Sequence, residues 1–99
     1  MGGAHTPGPW VATWIAQGTD DWCVHARGAP WQLAYLQHSK TNGMPTEANA
    51  RLIASAPDLL EALIRLKREA ELDGMASRAG WDCWISMADA AIARATGAA

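Results

Sequence analysis

TEANARLIASAPDLLEALIRL, Thr46 to Leu66, is the stretch on which the architecture turns. Leu52, Ile53 and Ala56 form a short apolar stripe, and Leu59, Leu60, Leu63, Leu66 and the later Ala70 recur at helical spacing. Thr46 follows Pro45 and precedes Glu47, so the pattern predicts a threonine N-cap with an acidic first turn that suits the helix dipole. Pro57 cannot continue a helix without losing an amide and crowding the carbonyl of Ile53. Two helices meeting at a corner are therefore expected, the second capped by Ser55, with Pro57 in its permissive first turn and Asp58 as the acidic member of a capping box. Glu61 with Arg65, and Lys67 with Glu71, are spaced to pair on the wet face.

Upstream, the pattern changes period. His5 to Pro9 holds two prolines around a glycine and cannot be helical. Trp10 to Ala16 has the aromatic and β-branched content of a strand, with Trp10, Ala12 and Trp14 on one face and Val11, Thr13 and Ile15 on the other. A turn around Gly18, a second strand over Trp22 to Arg27, a turn at Gly28 to Pro30 and a third strand over Trp31 to Gln37 follow. Connections this short favour an antiparallel meander. His38 to Pro45 reads as a polar loop.

Downstream, Leu72 to Gly80 contains two glycines and reads as a helix end and linker. Trp81 to Thr96 is the last helix: Trp81, Trp84, Ile85, Ala88, Ala91, Ile92 and Ala95 form a stripe, and Gly97 is a suitable terminator. Strands first and helices after make an α+β domain: a three-stranded antiparallel meander over 5–37, then central helices over 46–73 and a C-terminal helix over 81–96, packed on one face of the sheet. Residues 1–99 are expected to form one domain.

The run NARLIASAPDLLEAL, Asn49 to Leu63, together with HTPGPW, His5 to Trp10, resembles a family of small phage and prophage proteins that open on a TPGPW-like segment and carry an NARLIAAAPDLLEAL-like helix. Ser55 departs from the alanine of that pattern. The resemblance transfers no catalytic residue. It implies a phage accessory protein, and since such proteins often antagonise host immunity, that role is the expectation it brings.

Hydrophobic content of 49% with 18% charged residues is globular in composition. No apolar run approaches the ~20 residues of a membrane helix, and the N-terminus lacks the pattern of a secretion signal, so the bacterial host cytoplasm is expected. A net charge of −2 with scattered Lys and Arg argues against direct nucleic-acid binding. Cys23 and Cys83 stand in no metal-type spacing and read as free thiols.

Cys23 and His25 alternate on one strand face, but neither they nor His5, His38, Asp20 and Asp21 form a metal-type spacing. A Cys–His nucleophile would need a third group and an oxyanion site, and neither can be pointed to. A non-enzymatic protein without cofactor is expected. The unusual feature is six tryptophans with no phenylalanine. A domain of this size cannot readily enclose six indoles of ~150–250 Å² each, so about half are assigned to the core and the rest to a binding surface. The candidate ligand- or partner-binding residues are Trp10, Trp14, Trp22, Arg27, Trp31, Trp81 and Trp84. Exposed indoles with an arginine fit first a nucleotide-like immune signal, stacked and held by its phosphates inside a homo-oligomer; the alternatives are inhibition of a host defence protein, or a structural or regulatory phage role.

Overall fold

The computed structural model describes residues 5–15, 20–37 and 45–97. The centre of the turn at Gly18 and the loop beginning at His38 lie outside the described residues. The order of elements is three strands followed by helices: β1 (Trp10–Trp14), β2 (Trp22–Ala26), β3 (Ala34–Leu36), α1 (Thr46–Ala54), α2 (Ala56–Leu72) and α3 (Trp81–Thr96). The fold is the α+β meander that the period change implies. By compactness the chain divides into Thr6–Asp58 and a second unit made of Met1–His5 with Leu59–Ala99.

In the first unit the sheet order is β1-β2-β3, all antiparallel. Trp10 pairs with Ala26, Ala12 with Val24 and Trp14 with Trp22; on the other side of β2, Val24 pairs with Ala34. The β1–β2 ladder runs beyond the strands, because the Arg27 amide donates to the Pro9 carbonyl and the Ile15 amide to the Asp21 carbonyl, both at 3.0 Å. Alanines on both sides of fully buried Val24 make a flat strip that a helix can approach closely. α1 packs against all three strands. Its buried residues, Thr46 and Ala50, stand one turn apart and mark the face turned to the sheet.

Besides the Arg27–Pro9 bond, two contacts fix the TPGPW segment. The Trp10 indole N–H donates back to the Thr6 carbonyl at 3.0 Å. Gly8 lies against Pro57, where a side-chain Cβ would sit 3.2 Å from the proline Cβ and 3.3 Å from its Cγ. A side chain there would fit only if the proline ring gave way by a few tenths of an ångström.

Three local expectations are corrected. Thr46 is not the N-cap of α1. Pro45 takes that place, its carbonyl accepting from the Asn49 amide at 3.0 Å, and Thr46 becomes a buried first-turn residue. Ser55 does not cap α2 in the extended geometry of an N-cap. It stays right-handed at φ −83° and ψ −6°, and its hydroxyl donates to the Arg51 carbonyl at 2.9 Å, closing α1. Pro57 does fall in the first turn of α2. The third strand is shorter than the alternation from Trp31 suggests. The Ala26 carbonyl is taken by the Ala29 amide at 3.0 Å, so the chain must turn before it can pair, and only Ala34–Leu36 joins the ladder.

In the second unit, α2 gives way to a short 3-10 turn at Met75–Ser77, which packs on α3. α3 has the expected bounds and ends on Gly97, whose φ of 76° is open to glycine at little cost. The expected surface pairs form, Arg65 with Glu61 at 2.8 Å and Lys67 with Glu71 at 3.4 Å. None of the residues of α2 is buried, and Ile85 alone is buried in α3.

Candidate functional site

The seven candidate residues fall in three places. Trp10, Trp14 and Trp22 share the sheet face on which α1 lies, by the register of the β1–β2 ladder. Trp10 and Trp22 are half-buried there, and Trp14, at the end of the strand, is exposed. Arg51 of α1 sits over the Trp22 ring, 5.6 Å from its centroid. Its Nε and Nη2 both donate to Glu47 Oε2, at 2.9 and 2.7 Å. Trp22 therefore has an arginine partner, although a different one from Arg27. The Glu47–Arg51 spacing of four was the signal in the sequence; that the guanidinium would lie over an indole depended on the helix docking on the sheet.

Arg27 and Trp31 belong to the connection between β2 and β3. Gly28, at φ 83°, turns the chain there, the Ala29 amide donates to the Ala26 carbonyl at 3.0 Å, and the Leu33 amide donates to the Val24 carbonyl at 2.7 Å. A connection pinned at both ends to β2 thus presents Arg27, Trp31 and Leu33 to solvent, and Trp31 is 68% exposed.

On the opposite sheet face lies a polar row. The Tyr35 hydroxyl donates to Asp21 Oδ2 at 2.7 Å, and Thr13 Oγ1 meets His25 Nε2 at 3.0 Å. His25 Nδ1 lies 3.2 Å from the Ala26 carbonyl oxygen, which can only accept, so Nδ1 carries the proton and Nε2 takes the Thr13 hydroxyl in the neutral ring. Both ring nitrogens are thereby engaged. Cys23 is buried between its neighbours Thr13 and Tyr35. The carboxylate of Asp21 raises the Tyr35 phenol above its ordinary value, first by accepting its hydrogen bond and then by charge.

Trp81 and Trp84 stand at the start of α3. With Leu63, Leu66 and Ala70 of α2 and Ala88 of α3 they line an open apolar groove of about 210 Å³. Beside it, a second hollow of about 200 Å³ is bordered by Ile64, Lys67, Arg68, Glu71, Asp89 and Ile92. Lys67 serves both hollows and is held by Asp89 at 2.6 Å and Glu71 at 3.4 Å. The hydrogen bond to Asp89 raises its ammonium above the usual lysine value, with Glu71 adding to the effect against some loss of hydration. The groove at Trp81 and Trp84 is hydrophobic, and the cation at its edge is already neutralised.

Compared with known protein families, residues 1–99 match the profile described as Salmonella phage P22 protein Y8K6. The chain belongs to that family. A small phage protein family was the coarse content of the resemblance to TPGPW and NARLIAAAPDLLEAL proteins. No curated protein and no solved structure matches. Among the described residues no helix is long and apolar enough to cross a membrane, and no three His, Cys, Asp or Glu side chains are grouped to hold a metal.

Proposed function

We propose that this member of the P22 Y8K6 family is a non-enzymatic accessory protein that counters host immunity by binding a host defence protein through the Arg27–Leu33 connection. The observation that carries the proposal is Trp31, 68% exposed on a short loop pinned to β2, with Arg27 at the other end of the same loop. Tryptophan and arginine are the residue types that dominate protein interfaces, and a loop held in shape loses little entropy on binding. Sequestration of a nucleotide-derived signal is the second reading. It is favoured by the same pair, since an indole stacks a base and a guanidinium holds a phosphate. It ranks second because the two hollows described above are lined by residues of α2 and α3 and by none of this loop, and Lys67, which lines both, is occupied by Asp89 and Glu71.

The test is capture from a lysate of an infectable host, followed by assay of the captured protein. The wild type retains a specific host protein and inhibits it, and Trp31→Ala with Arg27→Ala loses both while unfolding at the same denaturant concentration. A discrete mass gained from a nucleotide panel in native mass spectrometry, with no protein captured, would move the assignment to the second reading. Neither outcome, or capture unaffected by the paired substitution, would remove this loop from the function.

A further inference from the structure

We infer that the apolar face of the α2–α3 hairpin is covered by a second copy of the same chain, packed antiparallel so that the two-fold axis passes α3 at Ala88. This inference goes beyond the binding role of Arg27–Leu33 and does not depend on it.

The hairpin does not close a core of its own. A two-helix piece of about forty residues is below the size at which a chain normally buries enough surface to stand alone. Here it shows that deficit, with no buried residue in α2 and Ile85 alone in α3. The spacing along its open face is that of a helical bundle. Leu59, Leu63, Leu66 and Ala70 step by four, three and four residues, and Trp81, Trp84, Ala88, Ala91 and Ala95 step alternately by three and four. Such steps put side chains in a seam between helices crossing at about 20°. One hairpin supplies half of a four-helix bundle, and a second copy supplies the other half.

Area and shape then select the occupant. Leu59, Leu66, Trp81, Trp84 and Met87 are exposed. Together they offer on the order of 600 Å² per chain, near the ~800 Å² per partner of a stable interface. The face is also complementary to itself. α3 is bulky at its start and small at its end. Turned about Ala88, Trp81 of one copy meets Ala95 of the other, large against small, and Trp84 comes level with Ile92 beside the small Ala91. The Lys67–Asp89 bridge sets the level of α2 against α3. At that level Leu66 of one copy comes opposite Ala70 of the other. The same antiparallel placement opposes the helix dipoles favourably.

The full-length chain is examined by sedimentation velocity from about 1 to about 100 μM, a range that covers ordinary dimer affinities. The wild type sediments as a dimer. Leu66→Glu and Trp84→Glu each weaken association by about a hundredfold or more, because each would bury an unpaired carboxylate. Both positions face solvent in the single chain, at 70% and 64% exposure, so neither substitution removes a buried contact within it, and the sheet unit keeps its unfolding midpoint. Leu72→Glu, 74% exposed but off the seam, leaves the dimer intact, as does Trp31→Ala. In a Cys83→Ser background, Ala88→Cys oxidises to a covalent dimer and Ala95→Cys does not, which separates the antiparallel arrangement from a parallel one. A chain that stays monomeric throughout, a dimer indifferent to both glutamates, or a monomer that associates only with another protein would each overturn the inference.

Discussion

Tyr35 is the only tyrosine in the chain, so its ionisation can be followed by tyrosinate absorbance without assignment. Its hydroxyl donates to Asp21, and that bond exists only while the phenol keeps its proton. Tyr35 should therefore ionise above the ordinary tyrosine range, and Asp21→Asn should lower the transition towards it. The raised value works in one direction: its contribution to the fold is complete below the unfolded tyrosine pKa and is lost as pH rises through the folded one. Coincident transitions in the two proteins would show that the bond does not persist in solution. Gly8 poses a steric question at the same scale. Gly8→Ala would place a methyl 3.2 Å from Pro57 Cβ, tighter than ordinary contact, and should cost about 1–2 kcal/mol in denaturant unfolding. Neither contact is legible in the sequence, because each joins residues brought together only by the finished fold.

At the scale of elements, the organising strand is β2. Val24 is fully buried between Ala12 and Ala34, and β2 pairs on both sides. Val24→Ala should cost about 2 kcal/mol, since the surrounding strands and α1 cannot collapse fully onto the space left. A substantially smaller loss would mean that α1 does not press on the strip. What could be read in advance at this scale was periodic: strand alternation, the stripe of α3, and Gly97 at its end. What could not be read depended on hydrogen-bond competition. Pro45 offers its carbonyl before Thr46 can cap, Ser55 turns its hydroxyl back to Arg51, and the Ala26 carbonyl goes to Ala29 instead of a longer third strand. Trp31 consequently leaves the sheet for the loop, where it becomes the most exposed of the six tryptophans.

At the scale of the whole molecule, buried residues are distributed unevenly. Among the described residues, Cys23, Val24, Ala26, Thr46 and Ala50 belong to the sheet unit, and Ile85 stands alone in the helical one. Hydrogen exchange should reflect this: amides of β2 exchange slowly at any protein concentration, and those of α2 and α3 become faster on dilution, as self-association is lost. Helical exchange independent of concentration would separate hairpin stability from association. The abundance of tryptophan predicted a binding surface and its seven candidate residues, but the sequence could not show that they divide between a sheet unit with Trp10, Trp14, Trp22, Arg27 and Trp31 and a hairpin with Trp81 and Trp84.

The contact of Gly8 with Pro57 also bears on inheritance. Phage genes diverge partly by exchanging segments, and a crossover between these two positions joins a proline from one parent to whatever residue the other carries at position eight. A parent with a side chain there brings a tight contact against Pro57 unless its helix start has changed with it. The opening segment and the start of α2 form one unit of compatibility, although three strands and a helix are written between them.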